Sequence, residues 1–124
     1  MPAVIAFMDD LMFLSRIRSA AAAQDIPVVS VRKVADLVEA CRQDVRLVLV
    51  DLDSQRLPVT EAIAAVRSEP ALAQVPIVGF FSHVHAERGQ EARAAGCNRT
   101  LPRSAFVREL DGLLRHPPAG FVAG

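Results

Sequence analysis

The stretch Leu47-Val48-Leu49-Val50 holds no polar residue before it ends at Asp51. Successive side chains of a strand point to opposite faces, so an unbroken apolar run must be covered on both. Similar short runs recur along the chain: Val4 to Met8, Val28 to Val31 after Pro27, Ile77 to Phe81 after Pro76, and a last short one from Arg99 to Leu101. Segments in helical period separate them. Phe13, Leu14, Ile17, Ala20 and Ala21 share one side of a first helix, and Val34, Leu37, Val38 and Cys41 recur at i, i+3, i+4, i+7 in a second. Pro58 suits the first turn of a third helix, which buries Ile63 and Val66. His85 to Ala95 reads as a weakly apolar fourth helix closed by Gly96, and Ser104 is placed to cap a fifth. Phe106, Val107, Leu110, Leu113 and Leu114 give that last helix its stripe. The expected fold is α/β, a three-layer, doubly wound, five-stranded parallel sheet with right-handed crossovers.

A chain of 124 residues suits one domain, expected over 1–116, with His116-Pro117-Pro118 ending the last helix and 117–124 forming a loose tail. Basic and acidic side chains number 14 each, and the pI is near 6.8, so no excess charge draws the chain to a phosphate backbone or an anionic membrane. Neither nucleic acid nor membrane is an expected partner. The longest wholly apolar stretch, Ala3 to Met8, is far short of the roughly 20 residues that span a bilayer, and no signal segment opens the chain. A cytoplasmic protein is expected, with Cys41 and Cys97 as reduced thiols because neither has metal-ligand or C-x-x-C spacing.

Ligand sites in such sheets lie beyond the carboxyl ends of the strands. The sequence puts Asp9 and Asp10 after the first strand, Asp51 and Asp53 after the third, Ser82 and His83 after the fourth, and Arg103 after the fifth. Clustered carboxylates repel, and a hard divalent ion such as Mg2+ relieves that repulsion. A metal held there neutralises an incoming phosphoryl group while one carboxylate attacks phosphorus and a cation holds the oxygens.

From Ala3 to Leu114 the chain resembles a response-regulator receiver domain, the CheY-like, flavodoxin-fold module of bacterial two-component signalling. The resemblance implies that Asp9 and Asp10 bind Mg2+, with the backbone of Asp53 as a further ligand, and that Asp51 accepts phosphate. It also implies a Thr or Ser after the fourth strand that senses phosphate, and a Lys before a cis-Pro after the fifth. Here the sequence departs. Counting from Asp51 or back from Arg103 places Phe81 at the hydroxyl position, and a slip of one residue places Ser82 there. A phenyl ring donates no hydrogen bond to a phosphoryl oxygen. Arg103-Ser104 replaces Lys-Pro, which keeps the charge but neither the compact ammonium nor the cis-Pro turn. The loop Leu52 to Pro58 lacks the family's Met-Pro and Asp-Gly turn residues. The likeness is therefore to an atypical or pseudo-receiver.

Such a likeness implies a phosphorelay module that acts by binding a protein, either a histidine kinase or a downstream effector, and at 124 residues a stand-alone one is expected. It implies no enzyme activity beyond self-phosphorylation and dephosphorylation at an Asp. The output face in receivers is built from the fourth helix, fifth strand and fifth helix, here about His85 to Leu114, with Thr100, Leu101 and Phe106 expected on the partner surface. Arg93, Arg99, Arg108, Glu109 and Arg115 are candidates for a homodimer contact.

Other readings stay open. The chain is alternatively a fully competent Mg2+-dependent phosphoacceptor at Asp51. More remotely, Asp51-Leu52-Asp53 matches the D-x-D motif of haloacid-dehalogenase-like phosphatases. Asp9-Asp10 also reads as a helix-start pair that offsets the helix dipole, and Asp51 as the partner of Arg103 in a bridge that fills the pocket. His83 and His85 lack a third metal ligand, Cys97 suits packing at a turn, and Met8, Met12 and Phe13 read as core.

Overall fold

Leu47 and Leu49 face one way and Val48 and Val50 the other, so the central strand feeds two separate cores. The computed structural model describes residues 1–118, and the part of the expected tail from Ala119 onward lies outside the described residues. Five parallel strands, β1 (Ala3–Phe7), β2 (Val28–Val31), β3 (Val45–Asp51), β4 (Ile77–Phe81) and β5 (Arg99–Pro102), form one sheet in the order β2-β1-β3-β4-β5. Helices α1 (Leu11–Ala22) and α5 (Arg103–Arg115) cover one face. Helices α2 (Val34–Cys41), α3 (Val59–Arg67) and α4 (Ala86–Ala95) cover the other. The fold is the doubly wound α/β architecture that the apolar pattern predicts.

Each face follows from strand alternation. Val4, Ala6, Leu47, Leu49, Val78 and Phe80 meet Leu14 and Ile17 of α1 and Phe106, Leu110 and Leu114 of α5. Ile5, Phe7, Val48, Val50, Ile77 and Phe81 meet Leu37, Ile63, Val66 and Ala92 from the other helices. Each fully buried Leu, Ile or Phe contributes about 1.5–3 kcal/mol of transfer free energy. Two arginines secure element ends. Arg46 at the start of β3 donates from Nε to the Leu114 carbonyl at 2.6 Å and from Nη2 to that of Arg115 at 2.7 Å, satisfying the last turn of α5. Arg67, the last residue of α3, donates to the Gly96 carbonyl at 2.8 Å, the Leu72 carbonyl at 3.0 Å and Asn98 Oδ1 at 2.9 Å.

Several sequence expectations shift. Ser104 does not cap α5: the helix already begins at Arg103, Pro102 holds the capping position, and no side chain bonds there. Val107 lies just off the apolar stripe and is partly exposed, and Met12 is 85% exposed on the outer side of α1. The fourth helix starts one residue later than expected, because His83–His85 forms a short 3-10 turn ahead of α4. Cys41 and Cys97 are free and buried, and burial pushes their thiols up to about 11 and about 12, which disfavours the reactive thiolate.

The chain steps outward from β1 to β2 and then returns past β1 to β3, so strand order reverses between β1 and β3. A crevice opens at such a reversal. Asp9 and Asp10 leave β1 on one side of it and Asp51 ends β3 on the other.

Candidate functional site

Asp51 is the last residue of β3 and the one buried charged side chain among the described residues. Its Oδ1 accepts the Asp53 backbone N–H at 2.9 Å, and both carboxylate oxygens accept from Arg103 Nη2 at 3.2 Å. Burial pushes the Asp51 carboxyl above its ordinary range. The Asp53 N–H and the Arg103 charge oppose that rise, and the carboxylates of Asp53 and Asp10 add to it.

Arg103 reaches this spot from the first turn of α5. Phe13, Phe80 and Phe106 form a stack, with centroids 4.6 Å apart between Phe13 and Phe80 and 4.4 Å between Phe80 and Phe106. The guanidinium carbon lies 4.7 Å from the Phe13 centroid and 5.3 Å from that of Phe80. A flat, weakly hydrated guanidinium suits an aromatic bed while its fork meets several carboxylates. Arg103 also sits 3.6 Å from Asp10 Oδ2 and donates from Nε to Asp53 Oδ2 at 3.2 Å. The structure thus brings Asp10, Asp51, Asp53 and Arg103 together, which is the filled-pocket arrangement that the sequence left open.

The acidic pair after β1 divides its duties. Asp10 is the N-cap of α1 and accepts the Phe13 N–H at 3.0 Å, while Asp9 Oδ1 accepts the Ser54 hydroxyl at 3.0 Å. The Ser54 oxygen in turn accepts the Leu57 N–H at 3.2 Å. Asp53, expected to contribute its backbone, also brings its side chain to the rim. Asp53 Oδ2 accepts the Ser82 N–H at 2.7 Å, and Oδ1 lies 3.3 Å from His85 Nδ1 and 3.5 Å from Arg88 Nη1. Ser54, His85, Arg88 and the aromatic bed were not assigned to the site from sequence. The only available signal was spacing: His85 and Arg88 lie three apart, His85 at the N-cap of α4 and Arg88 in its first turn.

Phe81 turns away from the carboxylates. Its ring lies under α4 against Gly89, where an added Cβ would stand 2.9 Å from Phe81 Cε1 and 3.3 Å from Thr100 Oγ1. The Phe81 side chain therefore contributes no donor to the pocket, and it is the Ser82 backbone, not its hydroxyl, that bonds Asp53. The partner surface needs correction. Phe106 is 0% exposed and Leu101 is buried, because Phe106 turns inward from α5 onto Phe13 and Phe80 and Leu101 lies in the same core on the α1 and α5 side of the sheet. Only Thr100 of the three is partly exposed, and its hydroxyl accepts from Arg93 Nη1 at 3.3 Å.

The donor set decides whether a divalent ion fits. One oxygen of Asp9 and one of Asp10 are engaged locally, both oxygens of Asp51 face Arg103, and among the described residues no three His, Cys, Asp or Glu side chains form a group able to hold a metal. With Arg103 in place these residues do not fit Mg2+, and the guanidinium supplies the positive charge.

No protein-family model and no curated relative matches the sequence. Solved structures do. The chain is similar to a response regulator from Hahella chejuensis, with 20% identity over 94% of each chain and a TM-score of 0.78. It is similar to a chemotaxis response regulator of Vibrio cholerae, with 19% identity over 93% of this chain and 97% of that one and a TM-score of 0.76. It is also similar to the receiver domain of a sensor histidine kinase from Pseudomonas aeruginosa PAO1, solved with a magnesium ion coordinated in its active-site cleft. That match has 21% identity over 92% and 94% of the two chains, with a TM-score of 0.75. At such identities the likeness establishes architecture: the chain has the fold of a response-regulator receiver domain.

Proposed function

We propose that the chain is a receiver-like interaction module of two-component phosphorelay signalling whose phosphate switch is held by its own ion pairs. The observation that carries this reading is the Arg103 guanidinium bound to both oxygens of Asp51, inside a receiver fold. A carboxylate attacks phosphorus through a free lone pair. Here that carboxylate is turned toward a cation and shielded, with only 4% of its side chain exposed. An arriving phosphoryl group also meets the Asp53 carboxylate, a like charge, next to the Ser82 N–H.

In this reading residues 1–116 form the module and its output is a surface. The proposed partner is a protein, a histidine kinase or a downstream effector, met through the exposed side of α4, β5 and α5 around Arg93, Thr100, Val107 and Arg108. The same face is the proposed homodimer contact. The neutral charge balance gives no reason to invoke nucleic acid, and no helix among the described residues is long and apolar enough to cross a membrane. We place the module in the cytoplasm with its kinase. A divalent cation enters this scheme as a competitor of Arg103. The phosphatase reading is disfavoured, because the second carboxylate of its D-x-D motif is Asp53, which is fixed by several donors rather than free to deliver a proton.

Treatment with a small-molecule phosphodonor and Mg2+ tests the proposal. The expected result is no labile adduct of about 80 Da at Asp51 and no amide NMR shift reaching Thr100. An adduct with shifts that spread through β5 would establish the competent receiver instead. Turnover of phosphate esters that Asp51→Asn abolishes would establish the hydrolase.

A further inference from the structure

Asp53 is the most heavily engaged carboxylate of the rim, and its partners come from separate parts of the chain. The Ser82 N–H follows the end of β4, His85 closes the turn before α4, Arg88 stands in the first turn of α4, and Arg103 opens α5. A backbone N–H, an imidazole and two guanidinium groups converging on two oxygens is the donor set that binds a small oxyanion. We propose that these groups form an oxyanion seat, and that the Asp53 carboxylate is its resident occupant, tethered where a free tetrahedral oxyanion such as phosphate would otherwise bind.

The seat does not depend on Asp53 for its shape. Ser82 N is backbone at a strand end, and Arg103 rests on the rings of Phe13 and Phe80 while it holds Asp51 and Asp10. It is also open on one side. The Asp53 side chain is 14% exposed and that of Arg103 31%, so a free anion has a route in. A tethered group competes at an effective concentration in the millimolar range or above, about that of cellular anions or higher. Asp53 therefore excludes free phosphate, and the donors remain satisfied without one. The consequence for regulation rests on the receiver-like reading above: the chain carries a permanent anion at this seat, and its signalling surface does not wait for a phosphodonor. The seat itself needs no such reading, and its test uses neither partner nor phosphoryl transfer.

The test is an amide NMR titration with inorganic phosphate at constant ionic strength, with sodium chloride as control, on the wild-type chain, Asp53→Ala and Asp53→Asn. The alanine variant is expected to show a saturable shift at the Ser82 amide, with phosphate affinity at least about tenfold above wild type. The asparagine variant keeps the shape and removes the charge, so a smaller gain at the same amide is expected. If the alanine variant does not fold, the asparagine variant decides by the same readout. Absence of a saturable Ser82 shift in the folded variants, or an equal response in wild type, overturns the seat. Phosphate binding in the variants together with phosphodonor labelling of wild-type Asp51 leaves the seat standing and removes the locked switch. No phosphate binding together with no labelling does the reverse.

Discussion

Asp51 shows at the scale of one residue what a charged pocket costs. Its carboxyl is buried, and burial raises its pKa against the help of Asp53 N–H and Arg103. A folded pKa above the unfolded one means that the native state prefers the protonated form. Stability from this group is fully present below the unfolded pKa, about 4, and is lost as pH rises through the raised native value. Asp51→Asn removes that loss, so its thermal midpoint is expected to exceed wild type near neutral pH, with the gap closing in acid. Unfolding curves at several pH values check the sign, and a gap that widens in acid would refute it. Gly89 makes a second residue-level case. Alanine is ordinarily better than glycine in a helix by about 1 kcal/mol, yet here its Cβ would meet the Phe81 ring at 2.9 Å. Gly89→Ala is expected to destabilise by roughly 1–2 kcal/mol, and Phe81→Leu in the same chain to recover most of that. Urea unfolding of the double-mutant cycle measures the coupling.

Elements were legible where burial alone shapes them. The unbroken run before Asp51 lies within β3, and the i, i+3, i+4, i+7 spacing of Val34, Leu37, Val38 and Cys41 lies within α2. Their ends were less legible, because distant side chains settle them. Ser104 resembles a cap, but Arg103 is drawn into the first turn of α5, where its fork meets Asp51 and Asp53. Likewise α4 begins after a turn whose His85 lies beside Asp53. The site was half legible for the same reason. Its acidic members stand at strand ends that topology must bring together, whereas Ser54, His85 and Arg88 become partners only once loops are placed. Arg67 extends the point to stability: one guanidinium ties α3 to the Leu72 turn and to the loop before β5. Arg67→Ala removes three hydrogen bonds from a charged donor, while the Leu72 carbonyl keeps the Val75 N–H and Asn98 Oδ1 keeps the Ile77 N–H, and it is expected to cost about 2–3 kcal/mol, with faster amide exchange at Gly96 and Asn98 than elsewhere. Uniform exchange across the sheet would mean that Arg67 is not a local tie.

Over the whole molecule charges balance, with 14 basic and 14 acidic side chains, but the fold does not distribute them evenly. Parallel strands deliver Asp9, Asp10, Asp51 and Asp53 to one rim, and the order β2-β1-β3-β4-β5 leaves the cation from β5 to cross toward them. Arg103 bridges that gap, and with it the aromatic bed, α5 and the acidic crevice become one unit. Removing the guanidinium leaves like charges facing one another, a state that a hard divalent ion relieves through oxygen ligands and water. Arg103→Ala is therefore expected to bind Mg2+ at least about tenfold more tightly than wild type by calorimetry, and to gain thermal stability on adding Mg2+ where wild type gains little. Arg103→Lys keeps the charge without the flat fork and should fall between them. Adding Asp10→Asn to the alanine variant should reverse the gain, which separates a specific site from general attraction to negative charge. Equal Mg2+ affinity in wild type and Arg103→Ala would show that the crevice does not rely on Arg103 as its cation, and the proposed hold on Asp51 would lose its physical basis.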